Sequence, residues 1–253
     1  VSAGGLFVDE RPPEGGEGPL VVTVHGAMDR HRSFFPLRGH LRDHRVVVYD
    51  RRGYFRSRDA RPPARGVADH ADDLLAVLRR RPAVVVGHSY GGDVALAAAA
   101  IAAEVRAVVA VEPPLAWLPW WDPPGRPRFA GEDPGDAAEA FVRRLIGDER
   151  MKLLGEAMRL DLRADGPAFV TEMAALRRDP PPFEPEALRV PVVVVRGSES
   201  NERQRRSAAW LAERLPAGEV HVVDGATHNL HLSHPGELSD LVRRAVQLGG
   251  LSG

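Results

Sequence analysis

The chain has 253 residues carrying 34 basic and 35 acidic side chains, so it is close to neutral and advertises no polyanionic partner. It has no cysteine, which excludes a disulfide framework, a thiolate nucleophile and a cysteine-built zinc site. No apolar stretch approaches the ~20 residues of a membrane helix, and residues 1–10 lack the basic and apolar regions of a secretory signal; a cytoplasmic protein without nucleic-acid or membrane partners is expected.

In chain order, residues 6–9 read as a first strand and 12–19 as a turn-rich link. Leu20–Val24 reads as a strand ending at His25-Gly26, and Arg45–Tyr49 as one ending at Asp50. The spacing of Leu74, Leu75 and Leu78 predicts a helix over 68–80. A strand over 83–86, a helix over 90–102 and a strand over Val105–Val111 ending at Glu112 follow. Further on come a strand over 190–195, a helix over 203–215, a strand over 219–223 and a closing helix over 237–248. Strand and helix alternate, and the strand runs are apolar throughout rather than every second residue. That pattern predicts an α/β fold with a mostly parallel, doubly wound sheet buried on both faces. Residues 1–112 and 186–253 would form its core domain.

Residues 113–185 break the alternation. They show helical patterns over 136–146, 149–162 and 167–176 and no convincing strand. A helical insertion capping the carboxyl ends of the strands is expected, where open α/β sheets bind ligands. If Trp117, Trp120, Trp121 and Phe129 line its inner face, they suit an apolar or aromatic small-molecule substrate. The competing reading is that they pack the insertion itself.

Gly87-His88-Ser89-Tyr90-Gly91 lies between the strand over 83–86 and the helix that follows. A serine on a sharp strand-to-helix turn has its hydroxyl pushed out of the sheet, with the Tyr90 N–H placed for an oxyanion. Such a hydroxyl is a poor nucleophile until an imidazole takes its proton. Of ten histidines, His228 is the candidate, in the loop after the last predicted strand. The second oxyanion donor is expected at Ala27, after His25-Gly26, with Met28 as its neighbour. His231 and His234 lack an accompanying carboxylate cluster, so neither metal nor cofactor is expected. His88 is expected to pack or bond locally, pointing away from Ser89. Asp50 and Arg52 are read as organisers of a turn, and Asp69, Asp72, Asp73 and Asp93 as solvated or locally paired.

Taken together, these motifs resemble the α/β-hydrolase family, in particular its cap-bearing esterases, lactonases and C–C hydrolases. His25-Gly26 resembles the oxyanion loop and residues 50–57 the Asp-x-Arg-Gly-x-Gly-x-Ser turn, with Phe55 in place of a glycine. Residues 87–92 resemble the nucleophile motif, and residues 225–228 the histidine loop. The resemblance implies an α/β-hydrolase fold with a helical cap, and a serine nucleophile argues against the epoxide and haloalkane cleavage that other members perform by carboxylate attack. It also implies an acid for the histidine, usually an Asp at the position that Ser200 occupies here. Glu112, 23 residues after Ser89, sits where the haloalkane dehalogenases carry a Glu, and is favoured over Glu199 or neither. The expected activity is cleavage of a carboxylic ester, thioester or lactone through an acyl-enzyme. The alternative is a ligand receptor or non-hydrolytic tailoring enzyme, for example in secondary metabolism. Oligomeric state is not legible.

Overall fold

In the central strands successive residues feed two different cores, which is why those sequences are largely apolar. The computed structural model describes residues 5–121, 132–178 and 180–251. Its strands are β1 (Val8–Arg11), β2 (Leu20–Val24), β3 (Arg45–Tyr49), β4 (Ala83–His88), β5 (Val105–Val111), β6 (Val192–Gly197) and β7 (Gly218–Val223). They form one seven-stranded sheet in the order β1-β3-β2-β4-β5-β6-β7. β1 runs antiparallel to β3, and every other pairing is parallel.

The helices are α1 (Phe35–His40), α2 (Val67–Leu78), α3 (Tyr90–Ile101), α4 (Pro134–Ile146), α5 (Asp148–Lys152), α6 (Glu156–Arg178), α7 (Glu202–Arg214), α8 (Leu230–Ser233) and α9 (Pro235–Leu248). Val22, Val85, Val108 and Val194 pack with Leu74 of α2, Val94 of α3 and Leu211 of α7. Their neighbours Val21, Val84, Val109 and Val193 pack on the opposite face with Leu37 of α1 and Val242 of α9. Each fully buried valine contributes roughly 1.5–3 kcal/mol relative to exposure. None of the described helices is long and apolar enough to cross a membrane.

The strand order places the site. From β2 the chain steps outward to β3, then returns past β2 to lay down β4 and moves the other way to β5. The carboxyl ends of β2 and β4 therefore flank the point where the winding reverses, the crevice in which such sheets bind ligands.

The structure moves several predicted boundaries. The first strand lies at Val8–Arg11 rather than 6–9, and β6 begins at Val192 rather than 190, after Pro191, which has no N–H for a ladder. The helical stretch over residues 31–40 was not foreseen. Within the insertion, the expected helices over 149–162 and 167–176 are cut differently. The chain breaks at residues 153–155 and then runs as a single helix through Pro167. Proline inside a helix costs about 3 kcal/mol. Packing offsets it here: Phe169 is fully buried against α4, its ring 4.7 Å from that of Phe141.

Asp93 is also corrected: it is completely buried on α3, not solvated. Neither carboxyl oxygen makes a hydrogen bond of ordinary geometry among the described residues, although the Leu115 backbone lies near enough to act on the charge. Burial pushes its carboxyl well above the usual range, the Leu115 backbone opposing this only in part. A raised folded-state pKa means that stability is intact below the unfolded value and erodes as pH rises above it. Asp93→Asn is therefore expected to raise Tm at pH 8 and to change it little near pH 4, as read by thermal denaturation at both pH values.

Candidate active site

Ser89 joins β4 to α3 with φ 53° and ψ −125°, a left-handed conformation that costs a non-glycine residue on the order of 1–3 kcal/mol. The turn is held from both sides, by Ser89 N–H on the Val111 carbonyl (2.8 Å) and Gly92 N–H on the Ser89 carbonyl (2.7 Å). It also requires a bare backbone at Gly91, where a Cβ would lie 2.1 Å from the Val24 carbonyl oxygen. The close fit of α3 against β2 is thus written into the glycines that follow the serine.

One strand over, Glu112 leaves β5 with a φ of 48°, again left-handed. Its carboxylate is buried, and Oε2 lies 2.6 Å from His228 Nδ1. Oε1 accepts the Gly197 N–H (2.9 Å) and the Ser200 hydroxyl. Burial alone would raise this carboxyl, but His228, Ser200 and Gly197 outweigh it and hold it below the usual glutamate range. It is therefore ionised at neutral pH, with His228 carrying the shared proton on Nδ1. Glu199, the competing candidate, is exposed, its carboxylate 3.3 Å from the Ser198 hydroxyl. Ser200 is itself buried and donates to Glu112, a part for this position that the sequence reading did not supply.

His228 follows β7 and is tied to the nucleophile's own strand. Its carbonyl accepts from His88 Nε2 at 3.0 Å, and its ring centroid lies 4.7 Å from that of His88. The bond of His88 is thus not local; it spans 140 positions of sequence to fix the loop of the candidate base. Burial, with His231 and His228 alongside, pushes His88 well below the usual histidine range, so it stays neutral and donates from Nε2.

The third element is the loop after β2. A Cβ on Gly26 would stand 3.1 Å from that of Ser89. The Gly26 carbonyl is held by two donors, His25 Nδ1 at 2.8 Å and Arg51 Nη2 at 3.0 Å. His25 Nε2 accepts the Arg51 N–H at 2.9 Å, which fixes the tautomer. Burial and the neighbouring Arg51 charge push His25 down to about 4, so it remains neutral. In a trans peptide the carbonyl and the next N–H point opposite ways. Anchoring the Gly26 carbonyl therefore turns the Ala27 N–H away from Arg51, and no described residue accepts from it. Tyr90, the other expected donor, opens α3 directly after Ser89.

Asp50 accepts from the His31 N–H and ring (2.8 Å each), and Arg52 pairs with Asp73, so both organise the turn. Phe55, at the position where the resemblance leads to a glycine, has a left-handed backbone (φ 41°), with the Arg30 guanidinium 4.3 Å over its ring. Trp117 meets Phe183 edge-on at 5.4 Å, and Trp120 lies beneath Arg206 of α7 at 4.6 Å. Trp121 is buried in the same core. These contacts favour packing over substrate contact for Trp120 and Trp121. Phe129 lies outside the described residues. His234 begins α9 and bonds to the Ser233 hydroxyl (2.8 Å).

A possible donor set for a metal, Asp29, His88 and His231, has ligand atoms within 4.8 Å of one another. The two rings overlap at 4.0 Å with planes inclined by 35°. With His88 Nε2 donating to the His228 carbonyl, only Nδ1 of that ring is left to serve as a ligand atom. A cavity of about 610 Å³ between the start of α2 and the end of α6, lined by Arg65, Val67, Leu176 and residues 180–182, includes none of the candidate catalytic groups.

Comparison with known proteins follows the same lines. Residues 21–241 match the signature of the "Alpha/beta hydrolase family". A 104-residue segment is 36% identical to the 2-(acetamidomethylene)succinate hydrolase of Mesorhizobium japonicum, covering 39% of this chain and 37% of that one. A 107-residue segment is 36% identical to the lipase LipV of Mycobacterium tuberculosis, covering 40% of each. The matches to curated relatives thus span well under two thirds of those proteins. Among solved structures, the enol-lactonase of Burkholderia xenovorans superimposes with a TM-score of 0.74 at 17% identity, over 96% of each chain, a likeness of fold.

Proposed function

The chain belongs to the alpha/beta hydrolase family, and from that premise we propose that it is a serine hydrolase that cleaves a carboxylic ester, thioester or lactone. The observation that carries the reading is a strained serine at the sheet's switch point, whose neighbour His88 holds the His228 carbonyl, together with His228 Nδ1 2.6 Å from the buried Glu112 carboxylate. Ser89 attacks the acyl carbon while His228 takes its proton on Nε2, its Nδ1–H remaining on Glu112. The developing oxyanion is held by the N–H groups of Ala27 and Tyr90. His228 returns the proton to the leaving oxygen or sulfur, and water repeats the sequence on the acyl-enzyme.

The insertion supplies the substrate's surroundings. Ala27 and Met28, together with Phe141, Val170 and Met173, pack on a buried cluster of Ala137, Ala138 and Phe169. An apolar wall beside the oxyanion loop suits an aliphatic or aromatic acyl group, and Trp117 is retained as a further proposed contact. Each methylene that reaches such a wall contributes about 0.8 kcal/mol, roughly fourfold in affinity. Among nitrophenyl esters, kcat/KM is expected to rise from acetate to hexanoate and to fall for a succinate half-ester. Absence of turnover across esters, thioesters and lactones alike would remove the reading.

A further inference from the structure

We propose that Glu172, on α6 of the insertion, is a positioning residue that sets the oxyanion loop through Arg51. The inference rests on the hydrolase reading above and assigns the insertion a part in the chemistry as well as in substrate binding.

Arg51 is completely buried and Glu172 is 1% exposed. Glu172 Oε1 accepts from Arg51 Nη1, and Oε2 lies 3.2 Å from Nη2. Two other donors of the same guanidinium go to the oxyanion loop, Nε to the His25 carbonyl (2.9 Å) and Nη2 to the Gly26 carbonyl (3.0 Å), while Nη1 also lies 3.2 Å from His70 Nε2. A planar guanidinium cannot turn toward one partner without leaving the others. Fixing one edge of the fork on Glu172 therefore fixes where the other edge holds Gly26, and with it the direction of the Ala27 N–H.

The carboxylate is itself located by two further donors from the core domain. Tyr54 donates its hydroxyl to Oε2 at 2.6 Å, and His70 Nε2 lies 2.7 Å from Oε1. The rings of Tyr54 and Tyr90 lie 4.6 and 4.7 Å from the guanidinium carbon, leaving it little room to shift. Glu172 reaches this position from a helix 121 residues away in sequence. The contact is the point at which the insertion and the oxyanion loop share a rigid part.

Removing the charge on Glu172 leaves the buried Arg51 bonded to two carbonyls without a counter-ion, so its hold on the Gly26 carbonyl is no longer fixed from the insertion's side. The oxyanion forms only in the transition state, so the loss appears in kcat rather than KM. The test is Glu172→Gln, assayed on a nitrophenyl ester with active sites counted by fluorophosphonate titration. A trifluoromethyl ketone serves as the tetrahedral probe. The expected result is a loss of about 10- to 100-fold in kcat per titrated site, with KM within threefold. Ketone affinity should fall in parallel with kcat/KM.

Asp165→Asn, which removes another contact between α6 and the rest of the fold (Arg58 Nε at 2.8 Å) and leaves the Arg51 link untouched, should keep kcat within threefold. Should Glu172→Gln not fold, Glu172→Asp keeps the buried charge, shortens its reach, and is read in the same way. Wild-type kcat per titrated site in the folded variant overturns the proposal. So does a loss of activity explained by fewer titratable sites. A wild-type protein that neither turns over esters nor binds the ketone sinks the hydrolase reading instead.

Discussion

Ser89→Ala is expected to lower kcat on a nitrophenyl ester by about 10,000- to 1,000,000-fold, to near the rate that binding and the oxyanion donors supply alone. The fold should survive. The backbone bonds of the turn, Ser89 N–H to Val111 and Gly92 N–H to the Ser89 carbonyl, do not involve the hydroxyl. The strain at φ 53° is carried by any residue with a Cβ and is unchanged in the variant. Tm within a few degrees of wild type, together with lost turnover, separates chemistry from folding. Retained turnover in a purified variant would show that the hydroxyl does not react.

The second large effect falls on the acid. Glu112→Gln should cost on the order of 10,000-fold in kcat, because an amide neither balances the imidazolium nor dictates the tautomer of His228. Glu199→Gln, on an exposed side chain whose carboxylate lies beside Ser198, should change kcat by less than twofold. The Ser200 hydroxyl suggests a sharper comparison. It sits on Glu112 Oε1 while His228 holds Oε2, so a carboxylate at position 200 would face Glu112 directly. Ser200→Asp alone is expected to lose activity through repulsion between two buried acids. In the Glu112→Gln background it should recover part of the lost kcat by supplying the missing charge from the neighbouring strand. Steady-state kinetics on the four proteins, with circular dichroism to confirm folding, decide the matter. Equal losses in Glu112→Gln and Glu199→Gln would contradict the assignment.

Local sequence carried more of the fold than of the site. The apolar runs gave β2, β3 and β5 to the residue, because burial on both faces leaves few polar positions inside them. The turn at Ser89 was legible for a similar reason: its glycines are required by contacts within a few residues and with β2. The insertion was less so. Pro167 weakens a helix locally, but its cost is met by Phe169 and by packing on α4, which a linear reading does not see.

Asp93 was misread although a signal existed. Residues 90–98 are all buried, and apart from Asp93 that stretch is alanine, valine, leucine, glycine and Tyr90, with no polar face. A helix without a polar face lies inside the molecule, and so does its one acid. The bonds of Ser200, His88 and Glu172 were not legible. Each joins residues 85 or more apart in sequence, and each depends on where a loop or helix of the finished fold happens to end.

The most direct test of the account is covalent. The wild-type protein is treated with a fluorophosphonate, digested, and the adduct located by mass spectrometry, with a Glu112→Gln variant run alongside. A single adduct on the peptide containing Ser89, formed rapidly in the wild type and far more slowly in the variant, is the expected result. A folded protein that takes no label, or takes it at another serine, would contradict it.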